Sequence, residues 1–327
     1  MKTVMDYDLI IIGGGPTGIN VGVEAQKAGL SYTIIEKGLL ANSIFRFPAN
    51  MTFFSTSKNL EIVDIPFISH QDKPTRREAL EYYRRIVDSY ELNIHFYEPV
   101  EMMQKHDADD KWSIFTSKRE YITKSVVVAT GFYDTPRLLN VKGEDLPKVK
   151  HYYDEAHPYV GQKILIIGGA NSGCDVALET WQKGAEVTMA IREANLYEKV
   201  KYWILPNINN RIKEGEIMAH FSTVVKKIKP KSVILHNSER GEFEIENDFV
   251  LAMTGYKPDY DLMDRLNIPY TDDDDRIPLY NKETLESPLG NVYIAGVLNA
   301  GMRTSTLFIE NTRHHAAIIV QNILRCA

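Results

Sequence analysis

Two short glycine-rich segments carry the clearest chemistry in this sequence. The first reads Gly-Gly-Gly-Pro-Thr-Gly from Gly13 to Gly18, between a strand pattern at Tyr7–Ile12 and a helical pattern at Ile19–Ala28. Glycines at this spacing permit a tight turn, bring the backbone against a pyrophosphate and let the helix pack on the strand, while the helix N-terminus favours the anion. The predicted contacts to a bound dinucleotide are Gly13, Gly15, Pro16, Thr17 and Gly18.

A carboxylate follows the next predicted strand. Glu36 comes directly after the strand pattern Tyr32–Ile35 and lies 23 residues beyond Gly13. At that distance a carboxylate can accept hydrogen bonds from the hydroxyls of a ribose diol. The first segment is therefore predicted to bind a dinucleotide whose ribose has a free 2′-hydroxyl, with Glu36 and the adjacent Lys37 as further contacts.

The second glycine-rich segment repeats this order of elements. A strand pattern at Lys163–Ile167 runs into Gly-Gly-Ala-Asn-Ser-Gly, followed by a helix through Glu179 and a strand at Glu186–Ile191. Alanine replaces the middle glycine and adds only a methyl group to the turn. Two such units in one chain are much more specific than one. The predicted contacts are Gly168, Ala170, Asn171, Ser172 and Gly173.

The residue types at the end of the following strand distinguish the two segments. Ile191 stands where the first unit has Glu36, and Arg192 follows it. A guanidinium can bind a 2′-phosphate through two parallel hydrogen bonds, whereas a carboxylate would repel it. The second segment is therefore predicted to bind NADPH, with Arg192 as the main phosphate contact. Lys201 would add positive charge, although it could equally be an ordinary surface lysine.

Bulk composition excludes several classes of protein. The chain has 327 residues, of which 44% are hydrophobic, and a net charge of −6, so two domains are expected and a broad nucleic-acid surface is not. No apolar run approaches the roughly 20 residues of a membrane span, and no signal peptide is visible, so we expect a cytoplasmic protein. With only Cys174 and Cys326, and no CxxC, neither a disulfide scaffold nor a metal site is predicted.

With both segments placed, the chain resembles the thioredoxin-reductase-like flavoproteins with two dinucleotide-binding domains. The resemblance implies an α/β fold of two Rossmann-like domains, each of the three-layer ββα type. The NADPH domain is inserted into the FAD domain. The junctions are two strands ending in Thr-Gly, at 125–131 and 249–255. They place the FAD domain at 1–137 and 256–327 and the NADPH domain at 138–255. The resemblance adds Val100, Thr130, Gly131, Gly296 and Thr306 to the FAD contacts.

The closing segment also resembles this family, with one departure. Residues 291–297 match the last FAD-binding strand, and a helix is expected from about Ser305 to Leu324. Most relatives have Gly-Asp where this chain has Gly296-Val297, so the usual carboxylate for the ribityl chain is missing. The expected helix N-terminus at 304–306 would still direct N–H groups to the flavin. Of the adjacent His314 and His315, at most one can face it.

Shorter blocks narrow the resemblance to the bacillithiol disulfide reductase family. They include Phe53-Phe54-Ser55, Trp203-Ile204-Leu205-Pro206-Asn207 and Phe308-Ile309-Glu310-Asn311. That family commonly has cysteine where this chain has Thr17, so a mechanism through a cysteine there cannot operate. The resemblance implies a homodimer that reduces a small disulfide, with no nucleic-acid or membrane partner. We interpret Cys174 as a buried structural residue and expect electrons to pass from FAD directly to the acceptor.

Three alternatives remain open from the sequence. Ser55-Thr56-Ser57-Lys58 and Ile65-Pro66-Phe67 also resemble flavin-containing monooxygenases, which place asparagine beside the flavin where this chain has Ser55. A ferredoxin or flavodoxin reductase is the second alternative, although the C-terminus lacks an aromatic residue to stack on the flavin. The third is a redox-sensing protein that binds both cofactors without turnover. Ser55 is therefore retained as a predicted neighbour of the flavin.

Overall fold

The computed structural model describes residues 5–106 and 110–326, except for the side chain of Cys326. Contacts divide it into two compact units. The first comprises the chain up to Arg46, then Asn50–Thr135, and everything from Tyr256 onward. The second comprises Phe47–Ala49 and Pro136–Gly255. The fold is α/β with largely parallel sheets, as the sequence predicts.

The strands are numbered here in chain order: β1 Met5–Ile12, β2 Tyr32–Ile35, β3 Ile94–His95, β4 Val100–Lys105, β5 Trp112–Thr116, β6 Glu120–Val128, β7 Val149–Lys150, β8 Lys163–Ile167, β9 Glu186–Ala190, β10 Met218–His220, β11 Thr223–Lys229, β12 Ser232–Asn237, β13 Gly241–Glu246, β14 Phe249–Ala252 and β15 Val292–Ile294.

The helices are α1 Pro16–Lys27, α2 Asn42–Phe45, α3 Ser57–Leu60, α4 Arg76–Tyr90, α5 Asn171–Gln182, α6 Leu205–Lys213, α7 Tyr260–Arg265, α8 Ile309–Thr312 and α9 His315–Cys326, with short 3₁₀ turns at His157–Tyr159 and Gly296–Ala300. Helix α4 begins with a capping box, in which Thr75 and Glu78 exchange hydrogen bonds.

A parallel core forms the middle of the first unit's sheet. Strand β1 lies between β2 and β6, and β15 pairs with β6, while β5 and β4 extend the sheet with antiparallel pairing. The last four residues of β1 are all buried, which is typical of a strand covered on both faces. In register, Ile12 lies opposite both Ile35 and Val128, and Ile294 lies opposite Val128. Four strands therefore end together at one sheet edge, where ligands of such folds bind.

The second unit contains the corresponding arrangement. Its parallel sheet has the order β10-β9-β8-β14-β7, with Ile167 opposite both Ala190 and Ala252. A separate antiparallel sheet of β11, β12 and β13 shares a hydrophobic core with it, through Val233 and Leu235 on one side and Leu165 on the other. The residues that follow β8 and β9 are thereby brought to a common edge.

The closing helix differs from its prediction. Instead of beginning near Ser305, helical structure begins at Ile309, ends after one turn at Thr312 and resumes at His315. The side chain of Asn311 explains the late start, because it accepts a hydrogen bond from the Phe308 N–H at 2.7 Å and donates to the Thr306 carbonyl at 3.1 Å. Residues 304–306 therefore form no helix N-terminus, and the predicted dipole at that position is wrong.

The described residues contain neither a membrane-spanning helix nor a metal-binding cluster. No helix among them has the length and apolar character that crossing a membrane requires. Within the same residues, no cluster of three or more His, Cys, Asp or Glu side chains has an arrangement that could hold a metal ion.

Candidate functional site

The first glycine-rich turn is tight at two glycines and open at a third. Gly13 has φ +113°, and an added Cβ there would lie 2.7 Å from the Ala129 carbonyl oxygen. An added Cβ on Gly18 would lie 1.8 Å from the Gly13 carbonyl oxygen, so only glycine lets α1 pack this closely. Gly15, the N-cap of α1, has no atom within 4 Å of the same position. This open space beside a helix N-terminus fits a pyrophosphate.

Glu36 is a structural part of this turn as well as a predicted ribose contact. Its side chain is 5% exposed, and its two oxygens accept hydrogen bonds from the Gly14 N–H at 2.6 Å and the Gly38 N–H at 2.7 Å. Burial raises the pKa of Glu36, whereas these two backbone donors act in the opposite direction. Each oxygen keeps a second acceptor site. The carboxylate can therefore bind a ribose hydroxyl without releasing the turn.

An ion pair between Lys37 and Asp134 lies beside Glu36, and it was not predicted from the sequence. Lys37 Nζ lies 3.2 Å from Asp134 Oδ2, and the Asn42 side chain donates to the other oxygen of Asp134 at 3.1 Å. Asp134 contributes to the raised pKa of Glu36. The network positions Lys37, a predicted cofactor contact. Nothing in the spacing of Asn42 and Asp134 would have identified them, because they lie 92 residues apart.

The end of β15 lies against the N-terminus of α1. Gly296 has φ +77°, and an added Cβ there would lie 2.5 Å from Thr17 Oγ1. Gly131, with φ +66°, similarly faces Val297, whose Cγ2 lies 3.7 Å from the corresponding position. The structure therefore brings Thr17, Gly131 and Gly296 together, although they come from three distant parts of the chain. Thr130 precedes Gly131 in the same turn.

Three other predicted FAD contacts have different surroundings. Val100 is buried at the start of β4, two residues after Glu98, whose N–H donates to the Glu36 carbonyl at 3.0 Å. Ser55 is also buried, and its neighbour Phe54 contacts the Phe308 ring edge-on at 5.0 Å. Thr306 is exposed, and its hydroxyl donates to the Arg303 carbonyl at 2.8 Å.

The second glycine-rich turn reproduces the backbone geometry of the first. Gly168 has φ +121°, with an added Cβ 2.5 Å from the Met253 carbonyl oxygen, and Gly173 would place one 2.3 Å from the Gly168 carbonyl oxygen. Ala170 is the N-cap of α5 with φ −100° and ψ −171°, an extended conformation that alanine adopts without strain. Replacing the middle glycine by alanine is therefore compatible with this turn.

Side chains around the second turn are exposed and paired. Arg192 donates to Glu193 Oε1 through Nη2 at 2.6 Å and through Nε at 3.0 Å, and the two side chains are 81% and 57% exposed. Sequence reasoning missed Glu193, although its position beside Arg192 was a visible signal. Lys201 Nζ lies 3.5 Å from Asp175, the fifth residue of α5. Two predicted cations thus lie next to carboxylates that a phosphate would have to displace.

Asn171 and Ser172, two predicted NADPH contacts at the start of α5, differ in whether their side chains already have a hydrogen-bond partner. The carbonyl oxygen of the Asn171 side chain accepts a hydrogen bond from the Lys201 N–H at 2.9 Å. This bond fixes the loop that carries Lys201, so the side-chain oxygen of Asn171 has a structural partner. Ser172 is exposed beside it and makes no such contact in the part of the chain that the structure describes.

The cysteine that the structure describes is sealed in the second unit. Cys174 has no exposed surface, and its Sγ lies 3.8 Å from the Gly169 carbonyl oxygen. Burial, followed by the nearby Asp175, raises the pKa of the Cys174 thiol to about 12. A thiol with that pKa is almost entirely protonated at neutral pH and is a poor nucleophile. The side chain of Cys326 lies outside the described residues.

Comparison with known proteins identifies the family. Residues 10–296 match the family model described as pyridine nucleotide-disulphide oxidoreductase. Bacilliredoxin reductase Bdr of Bacillus subtilis is 40% identical over 97% of both chains. The structure of bacillithiol disulfide reductase Bdr from Staphylococcus aureus has a TM-score of 0.94 and 40% identity, covering 99% of each chain. Thioredoxin reductase of Lactococcus lactis, with 20% identity and a TM-score of 0.76, supports the fold alone.

The chain therefore belongs to the pyridine nucleotide-disulphide oxidoreductase family and, within it, to the bacillithiol disulfide reductase family. It is a flavoprotein reductase that uses FAD and NADPH, as predicted. The open space at Gly15 and the buried carboxylate of Glu36 fit the dinucleotide that such proteins carry.

Proposed function

We propose that this member of the bacillithiol disulfide reductase family uses NADPH to reduce a low-molecular-weight disulfide, with bacillithiol disulfide as the leading substrate. FAD, which the turn at 13–18 and Glu36 would hold, would supply the chemistry that carries two electrons from NADPH to the acceptor. The S–S bond takes up these electrons and two protons, and two thiols leave. The names of the similar proteins from Bacillus subtilis and Staphylococcus aureus support this choice of substrate.

We assign the two sites to residues as follows. The FAD site consists of Gly13, Gly15, Pro16, Thr17, Gly18, Glu36, Lys37, Val100, Thr130, Gly131 and Gly296, with Ser55 as a neighbour of the flavin. The helix N-terminus at Gly15 binds the pyrophosphate, and Glu36 accepts from the ribose. In the NADPH site, Arg192 and Lys201 bind the 2′-phosphate beside the turn of Gly168, Ala170, Ser172 and Gly173.

The observation that carries the proposal is the state of Cys174. Its thiol is fully buried and its pKa is raised to about 12. Thr17 occupies the position at the start of α1 where family members commonly have cysteine. Thr17 has no thiol, and a buried, protonated Cys174 thiol is a poor nucleophile toward a disulfide at neutral pH. We therefore propose that the flavin donates electrons directly to the disulfide.

The setting of the reaction is also part of the proposal. We propose that the protein is a cytoplasmic homodimer, acting on a small molecule rather than on nucleic acid or a membrane. The net charge of −6 and the absence, among the described helices, of any that could cross a membrane are consistent with this setting.

An acceptor screen tests the proposed function. The purified protein, loaded with FAD and supplied with NADPH, is offered bacillithiol disulfide, glutathione disulfide, quinones, flavodoxin and oxygen. We expect NADPH consumption that is fastest with bacillithiol disulfide and forms two thiols for each NADPH. Faster turnover with flavodoxin or a quinone, and no thiol from any disulfide, would overturn the proposal and leave the cofactor assignments unchanged.

A further inference from the structure

The turn at Gly296 contains a buried backbone donor whose acceptor is an imidazole. The Gly296 N–H donates to His315 Nδ1 at 3.1 Å, and the His315 side chain is only 6% exposed. A buried N–H group that loses its acceptor costs about 1–3 kcal/mol. The first residue of α9 thus supplies the acceptor for the N–H of the second residue after β15.

This hydrogen bond specifies the protonation of His315. An imidazole nitrogen that accepts a hydrogen bond carries no proton, so the neutral ring must carry its proton on Nε2. Burial, and secondly the neighbouring His314, lower the pKa of His315 to about 4, and no carboxylate contributes. The ring is therefore neutral at physiological pH. The Nε2 atom of His315 has no hydrogen-bond partner among the described residues. It is not completely buried, so a bound molecule can contact it.

The turn that His315 holds lies at the predicted FAD site. An added Cβ on Gly296 would lie 2.5 Å from Thr17 Oγ1, and Thr17 is in the first turn of α1, next to the open space at Gly15. The residue after Gly296 is Val297, which has no charged group to bind a cofactor and so fix the turn from that side. The His315 imidazole and the Ala295 N–H, which donates to the Val128 carbonyl at 3.0 Å, therefore both hold the turn in place beside Thr17.

We propose that His315 is a positioning residue of the FAD site, which holds the Gly296-Val297 turn against Thr17 through Nδ1 and directs its Nε2–H toward the cofactor. The proposal rests on the assignment of Thr17 and Gly296 to FAD. It adds a neutral hydrogen-bond donor to a region where this chain lacks the family's usual carboxylate.

Two substitutions of His315 distinguish the loss of the hydrogen-bond acceptor for Gly296 from the loss of the rest of the imidazole ring. Asparagine can place its Oδ1 near the position of Nδ1 and still accept from Gly296, whereas leucine fills similar space without an acceptor. We expect His315→Leu to weaken FAD binding to the apoprotein roughly 10-fold to 100-fold, the effect of losing one acceptor for a buried N–H, and to change the flavin absorption spectrum. His315→Asn should recover most of the affinity. The exposed neighbour supplies the matched control, His314→Asn, which should bind FAD like the wild type.

The measurements are FAD titration of the apoprotein, the flavin spectrum, and circular dichroism to verify folding. A folded His315→Leu protein with wild-type FAD affinity and spectrum would overturn the proposal, as would His315→Asn being as defective as His315→Leu. A protein that binds FAD as expected here but reduces no disulfide would contradict the proposed function alone.

A measurement on the wild-type protein tests the proposed role of His315 even if the leucine variant does not fold. Nitrogen NMR of the FAD-loaded protein with ¹⁵N-labelled histidine identifies which ring nitrogen carries the proton. We expect His315 to be protonated only on Nε2, with a signal that changes when FAD is removed. Protonation on Nδ1, or a signal unaffected by FAD, would overturn the proposal.

Discussion

The two glycine-rich turns share a backbone but differ in the side chain at the end of the next strand. After β2, Glu36 is 5% exposed and held by two glycine N–H groups. After β9, Arg192 is 81% exposed and paired with the adjacent Glu193. The first turn is therefore preorganised around a buried carboxylate, whereas the second presents an exposed cation to solvent.

This difference corresponds to the two roles that a flavoprotein reductase requires. A resident cofactor benefits from a rigid site, because ordering the site on binding would reduce affinity. A co-substrate that must leave in every cycle is better served by exposed charges, which attract a phosphate but contribute modestly to affinity. The contrast between Glu36 and Arg192 thus supports FAD as the resident cofactor of the first unit and NADPH as the exchanging cofactor of the second.

The largest expected effects come from the close-packed glycines that the two turns share. Gly18→Ala and Gly173→Ala would force Cβ atoms against carbonyl oxygens at 1.8 and 2.3 Å, so each should lower the free energy of unfolding by about 1–3 kcal/mol. Urea unfolding of the apoprotein measures this.

Gly15→Ala is the matched control for the first turn. Its added methyl meets no atom within 4 Å in the protein, so it should leave apoprotein stability unchanged while weakening FAD binding. Equal destabilisation by Gly15→Ala and Gly18→Ala would contradict the interpretation that the space at Gly15 belongs to the cofactor.

Arg192→Ala tests the cofactor assignment of the second turn. Removing a charge-assisted contact to the 2′-phosphate costs about 1.5–3 kcal/mol, so KM for NADPH should rise roughly 10-fold to 100-fold. KM for NADH should change little, because NADH has no 2′-phosphate. Steady-state kinetics with both cofactors measures the ratio, and equal losses with NADPH and NADH would sink the assignment.

Glu193→Gln should strengthen NADPH binding, by less than Arg192→Ala weakens it. The carboxylate must release Arg192 before a phosphate can bind, and an exposed ion pair is worth only about 0.2–1 kcal/mol. We expect NADPH to bind slightly tighter to Glu193→Gln, and the difference from wild type to shrink at high salt. Glu198→Gln, another exposed carboxylate in the same loop, is the control. Tighter binding by both variants would indicate a general charge effect.

Local elements of this molecule could be predicted from the sequence better than its long-range contacts. The limits of β2 and β8 match their predictions, because each is a short apolar run with clear polar or glycine boundaries. The helix expected from Ser305 failed, since the side chain of Asn311 delays its start to Ile309.

Within the candidate site, glycine spacing predicted both turns. Gly296, which the structure places beside Thr17, was predicted as an FAD contact only from the family resemblance. The bond from Gly296 to His315 and the contact of Lys37 with Asp134 depend on tertiary packing between distant segments. No local pattern encodes them. Glu193 was the exception, because its proximity to Arg192 could be seen in the sequence.

The most direct test of the central claim is disulfide reduction by a protein without cysteine. The variant carries Cys174→Ala and Cys326→Ala and is assayed with NADPH and bacillithiol disulfide, while anaerobic reduction of its FAD by NADPH serves as the control. If the flavin is the immediate electron donor, both the control and the rate of thiol formation should equal those of the wild type. A variant that still reduces its FAD but no longer forms thiols would contradict this account and establish a cysteine in the electron path.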